Sequence, residues 1–442
     1  MHRLAAVALA LTLVPFARAQ SPRDVEANWH HWRGPNADGS APNARPPIKW
    51  DAKTNITWKA ELPGRGSATP IMWGDRIFVL TAIKTDRRAK PEEMPKVETK
   101  LAVKTEPPTN FYKFVVLCFD RRDGSKLWEK QVAEMVPHEG HHVTHSYAAG
   151  SPTTDGKLLY ASFGSFGTYA LDFDGNVKWA RTDLGRLHTR LGWGEAVTPV
   201  VHGGHLLLNY DQEIDSRLIC LEAATGKTQW EAKRDEKTTW STPLVVDFGG
   251  KTQVVTNGTA RIRSYDLATG AVLWQCGGMT VNPIPSPVRF GDSVICMSGY
   301  QRAAAVSVPL GSSGDLGDKG KVDWRYSFGT PYVPSPVLSG ELLYFNSTNE
   351  PMVTILNAKT GKAVIEKERL SQAKTFYASP LVAGGHIYFV DRTGTTVVVK
   401  AGESLDVVSV NKLDDPIDAS PVAVGKQLFL RGEKYLYCIE AK

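Results

Sequence analysis

Ser264-Tyr265-Asp266-Leu267-Ala268-Thr269-Gly270-Ala271-Val272-Leu273-Trp274 reads as the end of one β-strand, a tight acidic turn and the start of the next strand. Cys220-Leu221-Glu222-Ala223-Ala224-Thr225-Gly226-Lys227-Thr228-Gln229-Trp230 repeats the same frame. A Trp falls four residues after the turn glycine at Gly124/Trp128, Gly175/Trp179, Gly226/Trp230, Gly270/Trp274 and Gly320/Trp324. Gly361/Ile365 keeps the spacing with a smaller residue. A glycine that supplies positive φ, followed by a large ring at a fixed distance, suits an outer strand that docks on a neighbouring sheet.

Working outward, a Ser/Thr-Pro pair recurs eight times, at Thr69-Pro70, Ser151-Pro152, Thr198-Pro199, Thr242-Pro243, Ser286-Pro287, Ser335-Pro336, Ser379-Pro380 and Ser420-Pro421. After a first gap of 82 residues, successive prolines lie 47, 44, 44, 49, 44 and 41 residues apart. Each pair opens an apolar run, a Gly-rich turn and a second strand, as in Pro380-Leu-Val-Ala-Gly-Gly-His-Ile-Tyr-Phe-Val390. A period of about 40–50 residues is that of a four-stranded blade. The expected fold is therefore all-β: an eight-bladed β-propeller of four-stranded antiparallel blades. The eighth unit stops after its third strand, Leu436-Tyr-Cys-Ile-Glu440, while Asn55-Ile-Thr-Trp-Lys-Ala-Glu-Leu62 carries an unassigned Trp58. This early strand is expected to complete the last blade and close the ring, which removes its exposed edges.

Residues 1–19 read as a signal peptide. His2 and Arg3 precede the apolar run Leu4 to Val14, and Ala17-Arg18-Ala19 is a small-x-small cleavage site. The run is shorter than the ~20 residues a membrane span needs, so no transmembrane segment is expected. A periplasmic or extracellular location follows. Residues 20–54 form an N-terminal extension containing Trp32-Arg33-Gly34-Pro35-Asn36, and residues 55–442 the propeller. The charged, Pro-rich stretch 84–110 is an insertion in the first blade, a solvated excursion or a binding flap. Export suggests an oxidising compartment, yet Cys118, Cys220 and Cys438 occupy equivalent repeat positions, too far apart to bridge, and read as small core residues. The 52 Lys and Arg are scattered among 46 Asp and Glu. No basic stripe with interleaved aromatics appears, which argues against nucleic acid as a partner.

The docking signature resembles that of the pyrroloquinoline-quinone-like propeller repeat family. The opening Trp32–Asn36 with Pro63-Gly64-Arg65-Gly66-Ser67 is similar to a secreted bacterial branch of it. The resemblance implies one of two functions. Quinoprotein dehydrogenases hold the quinone and Ca²⁺ over the channel; outer-membrane assembly lipoproteins bind protein partners without a cofactor. The sequence lacks the adjacent Cys-Cys pair, a haem-attachment Cys-x-x-Cys-His and an evident Ca²⁺ oxygen set, and it lacks the lipid-anchoring Cys of the second branch.

Loops between blades, with those joining second and third strands, share one face and are where candidate residues are sought. His138-Glu139-Gly140-His141-His142-Val143-Thr144-His145 packs four imidazoles into eight residues, with His141 and His145 as candidate ligands for a single Zn²⁺ or Cu²⁺. Asp211, in Tyr210-Asp211-Gln212-Glu213, is the candidate catalytic acid or base. Trp193, Trp240, Tyr300, Arg302 and Tyr332, with Tyr377, are the candidate ligand-binding set, or else Trp193 and Trp240 plug the ring. The expected function is an exported, non-enzymatic monomer that binds a protein, peptide or glycan on its loop face and needs no cofactor. The alternatives are an oxidoreductase using pyrroloquinoline quinone with Ca²⁺, or a metal, on an alcohol or sugar, and a polysaccharide hydrolase or lyase.

Overall fold

The computed structural model describes residues 27–96 and 101–441; the expected signal peptide lies outside them. Eight antiparallel sheets, each with four blade strands, follow one another along the chain. Blade 1 runs from Ile71–Trp73 through Arg76–Arg88 and Asn110–Asp120 to Lys126–Met135, and blade 3 from Val200–His202 through His205–Tyr210 and Ser216–Glu222 to Thr228–Arg234. Apolar residues on the two faces of each sheet pack between blades. Phe78, Leu80 and Phe114 of blade 1 meet Leu159, Phe163 and Phe166 of blade 2 in one buried cluster.

The ring closes as the termini suggest. Ile56–Glu61 pairs antiparallel with Tyr435–Ile439, setting Trp58 opposite Cys438. Trp58 then does what every docking Trp does. Its ring covers Gly124 of blade 1 and its Nε1 donates to Arg121 O at 3.0 Å. Trp128, Trp179, Trp230 and Trp324 cover Gly175, Gly226, Gly270 and Gly361 in the same way. Each also donates to a carbonyl of the next blade at 2.8–2.9 Å. Such a bond satisfies the buried indole N–H while the ring supplies apolar area.

Two departures from the repeat have physical reasons. Trp274 does not dock on Gly320. The segment Gly314–Asp315 adds a fifth, parallel strand beside it, and Trp274 is fully buried, donating to Gln253 Oε1 at 3.1 Å within its own blade. The insertion 84–110 is partly strand. Its start continues the hairpin of blade 1, with Lys84 opposite Tyr112 and Arg88 opposite Asn110. Its far side folds back onto the loop between blades 2 and 3, where Lys104 N donates to Leu191 O at 2.9 Å. All five cysteines are buried and free, and Cys118 and Cys220 face Trp128 and Trp230 across their strands.

The extension crosses one mouth of the channel. Trp29 bridges Met72 of blade 1, His30 O accepts from Thr154 N of blade 2, and Ser40–Ala41 pairs with Val382–Ala383 of blade 7. Arg33, 2% exposed, donates from Nη1 to Pro380 O at 3.1 Å and from Nη2 to Pro336 O at 2.5 Å, tying blades 6 and 7. No helix among the described residues is long and apolar enough to cross a membrane.

Candidate functional site

The Ser/Thr-Pro pairs build the floor. Proline starts each innermost strand, where a missing N–H costs nothing, and holds the preceding residue extended. In seven of the eight pairs that residue's N–H reaches the hydroxyl of the next blade's pair. Thr69 N donates to Ser151 Oγ at 2.8 Å, Ser151 N to Thr198 Oγ1 at 3.0 Å and Thr242 N to Ser286 Oγ at 3.1 Å. The links run on through Ser335, Ser379 and Ser420, and Ser420 N donates to Thr69 Oγ1 at 3.1 Å across the ring closure. The pairs are structural, as their regular recurrence indicates, but six of these residues, Thr69, Ser151, Thr198, Thr242, Ser379 and Ser420, also line a cavity of about 480 Å³ on the loop face. From the opposite mouth, Trp32 of the extension closes it below.

The walls are aromatic. Trp193, Trp240, Tyr300, Tyr332 and Tyr377 all line the cavity, which brings together four of the five expected ligand-binding residues. Trp193 meets Tyr300 edge-on at 5.9 Å and Tyr300 stacks on Tyr332 at 4.8 Å. Trp240 Nε1 donates to Gly194 O at 2.8 Å, so the two tryptophans are tied and wall the channel without filling it. The Trp193 loop turns through Leu191, Gly192 and Gly194, all at positive φ. A Cβ on Gly194 would lie 2.9 Å from His141 Cβ, so only glycine admits this contact. Thr105 Oγ1 of the insertion donates to Gly192 O at 2.5 Å, so the insertion braces this wall.

The remaining candidates lie elsewhere. Arg302 is exposed and does not line the cavity; Gln301, at φ 63°, turns the chain outward before it. Asp211 is buried behind the wall. Its carboxylate takes Arg234 Nε at 2.7 Å and Nη2 at 3.0 Å, Thr239 Oγ1 at 2.7 Å and Asn209 Nδ2 at 3.2 Å, which leaves it no access to a substrate. A residue read as a loop acid is in fact the partner of a buried guanidinium two strands away. His141 and His145 have ring centroids 6.3 Å apart, and each turns Nδ1 to a nearby backbone carbonyl at 2.8 Å. Among the described residues, no group of three or more His, Cys, Asp or Glu is placed to hold a metal. Burial lowers His145 to about 4, which keeps it neutral.

Two groups were not signalled by sequence. Asp418, the one carboxylate in the cavity lining among the described residues, is clamped by Arg392 Nε at 2.6 Å and Nη2 at 3.0 Å, and Arg392 stacks over Tyr377 at 4.1 Å. Behind the Trp193 wall, Glu139 and Glu195 border a small crevice. Burial raises Glu139 to about 7, against hydrogen bonds from Thr189, and Glu195 to about 8. Glu195 Oε2 accepts from Ser165 N at 2.7 Å, and its Oε1 lies 3.9 Å from His138 Nε2, which donates to Leu187 O at 2.8 Å.

A propeller whose repeats end in docking tryptophans, with a loop-face cup, has known relatives. Residues 113–364 match the family model described as outer membrane protein assembly factor BamB, more than half of the chain. The chain belongs to this family. Comparison with curated protein sequences finds no match. Among solved structures, BamB from Moraxella catarrhalis is 14% identical, with a TM-score of 0.54, covering 82% of this chain and 100% of that one. A quinohemoprotein alcohol dehydrogenase from Comamonas testosteroni is 11% identical, with a TM-score of 0.61, covering 94% and 81%. A europium-containing methanol dehydrogenase is 10% identical, with a TM-score of 0.60, covering 92% and 89%. At these identities the likeness is one of fold, and the BamB-type and dehydrogenase-type propellers share it.

The cup's residues do not fit a quinone with Ca²⁺. Ca²⁺ takes about 6–8 oxygen ligands with carboxylates among them, and the single carboxylate of the lining is held at both oxygens by Arg392.

Proposed function

We propose that this chain is an exported propeller that captures a protein, peptide or glycan ligand in the loop-face cup and does not transform it. The observation that carries the reading is the cup itself: about 480 Å³, walled by five aromatic rings, floored by hydroxyls, and closed below by Trp32. Its volume falls in the ~300–1,000 Å³ range of ligand pockets. Its one carboxylate among the described residues, Asp418, is held by Arg392, and Asp211 is enclosed in an ion pair. A rigid aromatic surface on loops of a braced ring is the arrangement of a binding site rather than of a reacting one. Membership of the BamB family supports the same reading, and the expected leader at residues 1–19 supports export to the periplasm or beyond.

The test is binding of the mature protein to arrays of peptides and of oligosaccharides, with Trp193→Ala and Trp240→Ala beside the wild type. Loss of a central aromatic anchor is expected to weaken capture by about tenfold or more. Ligands that bind both variants as tightly as the wild type would show that the cup is not the site.

A further inference from the structure

The floor of the cup has a polarity that its aromatic walls do not share. In seven of the eight Ser/Thr-Pro pairs the hydroxyl oxygen accepts a backbone N–H, as at Ser420 and Thr69. A hydroxyl that accepts still has its O–H hydrogen to give. Among the described residues none of these seven hydroxyls donates to a protein acceptor, and six of the eight pair residues border the cavity. Thr242, whose N–H joins the ring, also borders the cup. The floor therefore carries hydroxyls whose O–H hydrogens are free to meet a ligand.

Two guanidinium groups buried against this ring add positive charge. Arg431, 2% exposed, donates from Nη1 to Ala68 O at 2.6 Å and from Nη2 to Leu80 O at 2.8 Å. Its Nε has no partner among the described residues. It lines a crevice of about 20 Å³ that shares Ser67, Thr144, His145 and Asp418 with the cup. Burial lowers Arg431 to about 9. Arg33 sits on the carbonyls of Pro336 and Pro380, each next to a hydroxyl of the ring, and burial lowers it to about 10 in spite of Asp38. A buried cation that meets only carbonyls leaves a field to be met by a ligand's negative charge. Asp418 does not cancel it, being paired with Arg392.

We infer that the cup takes a ligand with a single terminal carboxylate on a flat apolar body, the carboxylate down on the hydroxyl ring and the body against Trp193, Tyr300 and Tyr332. This rests on the cup being the binding site, and it narrows the ligand to one chemistry. A small aromatic acid and the free C-terminus of a peptide ending in an aromatic residue both have it.

The test follows intrinsic tryptophan fluorescence of the mature protein on titration with four probes: 3-phenylpropionate, Gly-Gly-Ala-Phe, the same peptide as its C-terminal amide, and maltotetraose. The free-acid peptide is expected to bind about tenfold or more tighter than its amide, since charge-assisted hydrogen bonds are lost. Added salt should narrow that difference. Thr242→Val removes one O–H donor without a donor–acceptor link between blades. It is expected to weaken the acid several-fold and leave the amide unchanged, which keeps the test valid if Arg431→Met does not fold. Equal affinity for 3-phenylpropionate and the acid peptide would identify a small acid as the ligand; preference for the peptide would identify a chain terminus. Acid and amide binding alike, or maltotetraose binding tighter than either, would overturn the inference. If Trp193→Ala still weakened them, the cup would stand as the site. No response to either acid overturns it as well, and the array experiment then judges the cup separately.

Discussion

Replacing Gly124 by Ala tests the ring closure at its one non-sequential joint. Gly124 has φ 74°, and an added Cβ would lie 2.5 Å from Cε3 of Trp58. Two costs follow. A left-handed conformation costs a side chain ~1–2 kcal/mol, and forcing extra volume into a packed contact costs ~1–3 kcal/mol. Trp58 cannot simply move aside, because its Nε1 is bonded to Arg121 O at 3.0 Å and its ring packs on Phe429 at 6.0 Å. Gly74 provides the control: φ 58°, with nothing within 4 Å of where a Cβ would stand. Gly74→Ala should show only the backbone cost. The difference between the two variants, ~1–3 kcal/mol, is the contact with Trp58. For ~400 ordered residues the unfolding entropy is about 0.9 kcal/mol/K, so that difference is about 1–3 °C in Tm. Trp58→Ala alone should cost ~3–5 kcal/mol. In that background the excess cost of Gly124→Ala should vanish, since the clashing ring is gone. Thermal melts of the four proteins of this cycle, with Gly74→Ala in both backgrounds, read the coupling directly. If Gly124→Ala costs as much without Trp58 as with it, the N-terminal strand does not close the ring by this contact.

Three further outcomes follow from buried groups. Asp211→Ala leaves Arg234 charged and unpaired in the interior and should destabilise by ~3–5 kcal/mol, read by denaturant midpoint, while the folded fraction keeps its affinity for cup ligands; unchanged stability would contradict the buried pair. Glu195 and Glu139 have folded values raised to about 8 and about 7 from 4.5, so the folded state holds protons that the unfolded state releases. Their contribution to stability is fully present below about pH 4.5 and is lost as pH rises toward 8. Glu195→Gln should flatten that slope and raise Tm at pH 8, and a slope unchanged in the variant would refute the assignment. The five cysteines are buried and free, with Cys118, Cys220 and Cys438 each raised to about 12 by burial. A thiol reagent should therefore label none in the native protein and all five in denaturant, and a reducing agent should leave Tm unchanged.

The scaffold was legible because each of its devices repeats. Glycine, Trp and Ser/Thr-Pro recur at spacings that a four-stranded blade dictates, so one blade read correctly gives the rest, and the truncated last unit points to Trp58 as its missing partner. Trp193, Trp240, Tyr300 and Tyr332 were found by the same logic, since loops at equivalent blade positions must converge on one mouth. What did not repeat could not be read this way. Asp211 and Arg234 lie 23 residues apart and on different strands, so the sequence offers a loop acid and hides its cation. Arg302 stands two residues from Tyr300, and a single left-handed residue, Gln301, separates a wall of the cup from the solvent.

Trp32 shows the same limit from the other side. Its segment has no counterpart in the blades, and only the folded ring reveals that it stops one end of the channel. With that end closed, a passage through the ring becomes a cup with a floor. Hydroxyls placed by the repeat to join blades then acquire a second use, because six of the eight pair residues also border the cup. The repeat gives the donors, and the unrepeated segment makes them a site. Truncating the extension should therefore affect ligand capture more than its contribution to the blade sheets would suggest. Trp32→Ala, which opens the floor but leaves Trp29, Arg33 and Ser40–Ala41 on their blades, is expected to weaken cup ligands several-fold with little change in Tm. A variant that loses stability and keeps affinity would instead make Trp32 a structural wedge, and the floor would be the hydroxyl ring alone.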